Sequence, residues 1–111
     1  MPICEYPNGM GKVFTEEQIK QYEADGWVSP VDLLTSEQAD ECRSQLEAWE
    51  LLRGGSLPSH ERSGAHILFP WIDQLMRADR ILDAVEDLIG PNILCWNSVF
   101  WIKEAESSSY V

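Results

Sequence analysis

The side chains best suited to bind a metal or attack a substrate are His60 and His66, Cys4, Cys42 and Cys95, and the run Ser107–Ser109. Their spacing supports little of either. The histidines stand six positions apart with Glu61 between them, unlike the spacings of zinc sites. His60 lies in a Gly/Ser-rich stretch and is expected in solvent. The cysteines are three in number, widely separated and without a Cys-x-x-Cys pair, so neither a disulfide framework nor a metal cluster is expected. Buried or free thiols in a reducing cytoplasm follow from that usage. Ser107–Ser109 has no neighbouring base and reads as loop. Glu16, Glu17, Glu37, Asp40, Glu41, Asp83, Glu86 and Asp87 read as solvated helix faces and helix-start charges. No pair among them stands out as general acid and base.

Composition narrows the partners. The chain has 111 residues and a net charge of −11, from 19 acidic against 8 basic side chains. Such a balance disfavours nucleic acid, whose phosphates need cations, and anionic membrane surfaces. At 44% hydrophobic with five Trp, the chain has the apolar content of one folded domain. No secretory signal is expected, and no apolar run approaches the roughly 20 residues of a membrane span.

The elements that must position these residues are mostly helical. Residues 1–12 carry Pro, Gly and an Asn-Gly pair and read as an extended lead-in. Thr15 and Gln18 form a capping-box pattern for a helix ending at Gly26. Thr35 and Gln38 repeat the pattern. Ala39, Cys42, Leu46 and Trp49 then share one side of a helix reaching about Leu52, stopped at Gly54. Residues 54–65 read as a polar loop. His66–Phe69 reads as a short strand or an extended entry, and Pro70 opens a short helix carrying Ile72, Leu75 and Met76. Asp79 is the expected cap of a further helix with Ile81, Leu82, Val85, Leu88 and Ile89 toward the core, ended by Gly90-Pro91. Residues 93–103 read as a strand, with Leu94, Trp96, Ser98, Phe100 and Ile102 on one face and Asn97, Val99, Trp101 and Lys103 on the other. A lone strand leaves its backbone groups unpaired. The only candidate partners in this sequence are 27–31 and 66–69, so the fold reads as unfinished.

Taken in order, "FTEEQIKQYEADGWV", "HILFPWIDQLMRADRILDAVEDLIGPNIL" and "CWNSVFWIKE" running into "SSSYV" resemble the phytanoyl-CoA dioxygenase family of non-haem iron enzymes, over about residues 13–111. The resemblance implies an α+β fold class: N-terminal helices plus the first strand or strands of an incomplete double-stranded β-helix, truncated before the iron-binding motif. It implies Fe(II) and 2-oxoglutarate as cofactors of the complete enzyme, which would hydroxylate a small organic substrate. The His-x-Asp iron motif of such enzymes is absent here, so this piece alone is expected to be inactive and to bind neither cofactor.

The same resemblance marks four positions beside the co-substrate. Asn97 would hydrogen-bond 2-oxoglutarate or substrate, or else serve as a buried amide satisfied by neighbouring backbone. Val99 and Trp101 would wall the pocket or simply pack in a core. His66 would touch a 2-oxoglutarate carboxylate or serve structurally, since a shift of one residue reverses its facing. Lys103 would steer an anion or sit solvated at the strand end. A second reading from a different class is a small acidic helical module that binds a protein partner through its tryptophans and has no catalytic activity.

Overall fold

A computed structural model describes residues 11–105. Most of the expected lead-in 1–12, Cys4 and Ser107–Ser109 lie outside the described residues. The regular structure within them is helical: α1 (Glu16–Asp25), α2 (Ser36–Arg53), α3 (Ser59–Arg62), α4 (Ala65–Leu68), α5 (Pro70–Met76) and α6 (Asp79–Ile89).

Local chemistry sets the ends of α1 and α2. The Gln18 N–H donates to the Thr15 hydroxyl at 3.3 Å, while the Thr15 N–H donates to the Gln18 side chain at 2.9 Å. Thr35 and Gln38 make the same reciprocal pair at 3.2 and 2.9 Å. Each box satisfies two donors that the first helical turn would otherwise leave orphaned. Glu17 and Glu37 are both held below the ordinary carboxylate range, chiefly by their own backbone N–H groups and then by the cap hydroxyls. The helices stop on Gly26 and Gly54, at φ 78° and 79°, a left-handed backbone that a side chain would strain. Pro70 opens α5 as expected, its missing N–H costing nothing in a first turn. Asp79 is displaced from its expected role. Ala78 is the N-cap of α6, and Asp79 is its first helical residue.

The α+β expectation fails. Among the described residues 93–103 forms no strand, and the chain there makes one isolated antiparallel bridge, Ser63 with Val99. The double-stranded β-helix has no ladder in the described residues. A ladder requires a neighbour that stays extended, and the expected neighbours do not supply one. Residues 66–69 are taken up by α4 and the residue that follows it, and 27–31 forms neither strand nor bridge; the 54–65 loop contains α3. Backbone-to-backbone hydrogen bonds reach across only from Arg62 and Ala65 among the described residues: the Phe100 N–H donates to the Arg62 carbonyl at 2.9 Å, and the Ala65 N–H to the Ser98 carbonyl at 3.1 Å. The two-faced pattern of the segment nonetheless persists at its end. Ser98, Phe100 and Ile102 are half-buried, alternating with exposed Val99, Trp101 and Lys103.

Leu57, Ala65, Phe69 and Ile72 form the main core cluster, with Leu46, Trp71, Met76, Phe100 and Ile102 packed around it. Phe69 is its centre. Trp49 and Phe100 meet the Phe69 ring edge-on, at centroid distances of 5.4 and 5.9 Å, and Trp71 stands 5.8 Å from Phe100. Edge-to-face pairs of this kind add about 1 kcal/mol each beyond area burial. Leu57, expected in a polar loop, is the most deeply buried residue described, at 1% exposure.

A second contact joins the chain before α1 to α6. The buried Asp87 carboxylate accepts three backbone N–H groups, from Lys12 at 2.8 Å, Val13 at 2.7 Å and Phe14 at 3.0 Å. Expected as a solvated charge, Asp87 is instead the anchor for the stretch in which Phe14 is buried, on the same lining as the buried Ala84 of α6. Lys12 reinforces the approach with ion pairs to Glu86 at 2.7 Å and Asp83 at 3.0 Å, which raise the ammonium's pKa. Gly11 is required by proximity: a β-carbon there would sit 2.5 Å from the Asp87 carboxylate. The expected apolar face of α6 is only half-buried, and Ile89 is exposed.

Two outcomes follow for stability. Asp87→Ala removes an acceptor shared by three N–H donors and should speed hydrogen exchange at the Lys12, Val13 and Phe14 amides about tenfold or more, the equivalent of about 1 kcal/mol or more per bond. Asp87→Asn should cost less, because its remaining oxygen can serve Val13 and Phe14 while its amide opposes the Lys12 N–H. Acid should act on α1 and α2. Because the folded pKa values of Glu17 and Glu37 are depressed, their support is present above the ordinary 4.5 and is lost as pH falls through the lower folded values. Far-UV circular dichroism should show helicity falling below about pH 4.5, and Glu17→Gln/Glu37→Gln should flatten that limb.

Candidate functional site

The residues singled out by sequence converge in part on one junction, between residues 62–66 and 97–100. Its origin is a capping problem. α4 is a single turn with Gly64, at φ 68°, as its N-cap, and it has no side-chain cap of its own. So short a helix is unstable by propensity alone. Its leading donors are satisfied from far along the chain. The Gly64 N–H donates to Asn97 Oδ1 at 3.0 Å, the Ala65 N–H to the Ser98 carbonyl at 3.1 Å, and the His66 N–H to Ser98 Oγ at 2.9 Å. Asn97 Oδ1 also accepts the Ser98 N–H at 2.8 Å, and Asn97 Nδ2 donates to Ser63 Oγ at 3.0 Å.

His66 closes the junction. Its Nδ1 lies 2.6 Å from Ser98 Oγ, which already accepts the His66 backbone N–H. The assignment that uses the serine's own proton has Oγ–H donating to Nδ1, which leaves the imidazole proton on Nε2. A serine hydroxyl beside an imidazole is the geometry of a nucleophile and its base. Two further requirements of acyl transfer are missing. No carboxylate among the described residues orients the far side of the ring. The N–H groups of Gly64, Ala65 and His66, the nearest donors for an oxyanion, are all committed. The pair acts as a fastening.

The four positions marked for the co-substrate therefore separate. His66 and Asn97 meet through Ser98. Asn97 is exposed, not the buried amide of the alternative reading; its Oδ1 is taken up by Gly64 and Ser98, while one of its two Nδ2 hydrogens stays open to a ligand. Val99 makes the bridge to Ser63 with its side chain 42% exposed, and the Trp101 ring is 68% exposed on the same outer side. Lys103 is exposed at the end of the segment, and His60 lies in solvent as expected. Ser63, Gly64 and Ser98 complete the junction without having stood out in the sequence. Their signal there is slight: a Ser-Gly pair ahead of an apolar turn, and an Asn-Ser pair interrupting an otherwise apolar run.

Fe(II) of the kind the resemblance implies needs two His and a carboxylate on one face. Among the described residues no three His, Cys, Asp or Glu side chains converge. The residues present do not fit the metal. No family model matches the chain, and no curated protein or solved structure matches it.

If the junction is a cap supplied at a distance, Asn97→Ala should speed hydrogen exchange at the Gly64 amide, and Ser98→Ala at the His66 amide. Each should change by about five- to tenfold, the equivalent of about 1 kcal/mol per bond. Trp101→Ser should leave both amides unchanged. The Nε2–H tautomer of His66 should be visible in its ring nitrogen shifts, and the Nδ1 signal should move in Ser98→Ala as its hydrogen bond is lost.

Proposed function

We propose that this chain is the helical N-terminal portion of a larger Fe(II)- and 2-oxoglutarate-dependent dioxygenase of the phytanoyl-CoA dioxygenase type, which hydroxylates a small organic substrate. By itself the piece is inactive. The helices brace the catalytic part, and the iron ligands and the group that grips 2-oxoglutarate lie outside this sequence. In the whole enzyme Asn97, Val99, Trp101 and His66 stand near the co-substrate, and the protein is cytoplasmic. No described helix is long and apolar enough to cross a membrane, and Cys42 and Cys95 are free.

One observation carries this reading: the helices leave too much apolar surface without a partner. The described core holds six buried apolar residues. Along the terminal segment Leu94 is 88% and Trp96 93% exposed. Large apolar side chains exposed in this way, beside a segment with one bridge, favour a body completed by further protein.

The all-helical architecture favours a second reading, a small acidic interaction module without catalysis, whose exposed Trp96 and Trp101 anchor a protein partner. The two part on folding. A module should unfold cooperatively as the 111-residue chain, whereas the enzyme portion should melt broadly and bind hydrophobic dye. The dioxygenase reading is tested directly by the codons after Val111, which should encode a His-x-Asp motif. The longer product should decarboxylate 2-oxoglutarate when given Fe(II), and the present chain should not. An unrelated downstream sequence, or a longer product with no such turnover, would sink it.

A further inference from the structure

α2 is the longest described helix, yet it is anchored at one end only. Leu46 packs against the core cluster and Trp49 stands against Phe69, both in its C-terminal half. None of its 18 residues is buried. Its N-terminal half stands off α5, and the two helices enclose an open cleft of about 460 Å³. Leu34, Cys42, Trp71, Leu75 and Ala78 supply an apolar floor. That volume lies within the range of small-ligand sites, and apolar floors with a few polar groups at the rim are typical of them.

The charge on the rim is one-sided. Glu37 and Glu41, one helical turn apart, line the α2 wall, and no basic side chain lines the cleft. Glu37 is held below the ordinary carboxylate range, chiefly by its own backbone N–H and then by the Thr35 hydroxyl. Glu41 accepts from Gln45 Nε2 at 3.0 Å, which fixes its carboxylate along the same wall. The nearest cation on α2, Arg43, is committed to Glu47 at 2.7 Å. An anionic ligand would meet two like charges and no counter-charge. A neutral apolar ligand would fill the floor and leave the wall uncompensated.

We propose that the cleft between α2 and α5 binds an amphipathic organic cation, its aromatic or aliphatic body on Leu34, Trp71 and Leu75 and its ammonium head between Glu37 and Glu41. The bound ligand supplies the contacts that the N-terminal half of α2 lacks. This inference is independent of the dioxygenase reading, since it uses neither iron nor the terminal segment.

Cys42 on the floor and exposed Cys95 outside it provide a paired reporter. The full chain is treated with iodoacetamide, with and without 2-(2-naphthyl)ethylammonium or the matched anion 2-naphthylacetate, and alkylation is read at each cysteine by mass spectrometry. The ammonium at millimolar concentration should slow Cys42 alkylation about fivefold or more and leave Cys95 unchanged, while the anion should do neither. Glu37→Gln/Glu41→Gln should weaken the protection about tenfold, and 0.5 M NaCl should weaken it in the unaltered chain. Equal protection by both probes, protection by neither, or no effect of the double substitution would overturn the proposal. So would ligand-free protection of Cys42 that rises with protein concentration, because a second copy would then be the occupant.

Discussion

The Asp87 carboxylate is the interaction on which the arrangement of the N-terminal half depends. Three consecutive backbone N–H groups ahead of α1 point at it, and it is buried in α6 near the other end of the chain. Charge-assisted bonds to a buried acid are strong because the alternative is an unsolvated anion and unsatisfied donors. The approach of Lys12–Phe14 fixes where α1 begins, and α1 packs on α6 from there. Gly11 has no side chain because the carboxylate occupies the space one would need.

The same constraint, that main-chain donors must find acceptors, explains the other long-range joint. α4 is too short to hold itself, and Asn97 and Ser98 bind the N–H groups of Gly64, Ala65 and His66 at its start. That contact sets the depth of the terminal segment, so that Phe100 reaches the Phe69 and Trp71 rings. Two polar clasps and one aromatic cluster thus hold together helices that share few buried residues. The 97–100 backbone spends its bonding capacity on a helix terminus instead of a ladder.

This economy shapes what the surface can do. Carboxylates dominate it, and the described ones do not converge with histidine or cysteine into a metal site. What the helices leave uncovered is apolar: the outer side of the terminal segment, and the cleft beneath the free half of α2. Both are places where further atoms would bury surface and gain stability. They differ in charge. The segment from Leu88 to Ile102 carries none, whereas the cleft has an acidic wall.

Sequence alone determined what is decided within a few residues. The capping boxes at Thr15 and Thr35, the stops at Gly26 and Gly54, the opening of α5 by Pro70 and the alternation along Ser98–Ile102 are local geometry, and each is legible in the residues themselves. Tertiary structure decided the rest. His66–Phe69 is legible as extended, but the N–H groups at its start bond instead to residues 97–98, about thirty positions away, and it coils. Asp87 looks like any helix-face acid, since nothing nearby in sequence reveals that three donors will arrive from Lys12–Phe14. His66 and Asn97 each stand out along the chain, yet Ser98, which joins them, gains its role only where the two segments meet. A period of two shows which side chains share a face. Whether that face becomes a sheet depends on a neighbour, and the neighbour is settled by the competition among all backbone groups for partners.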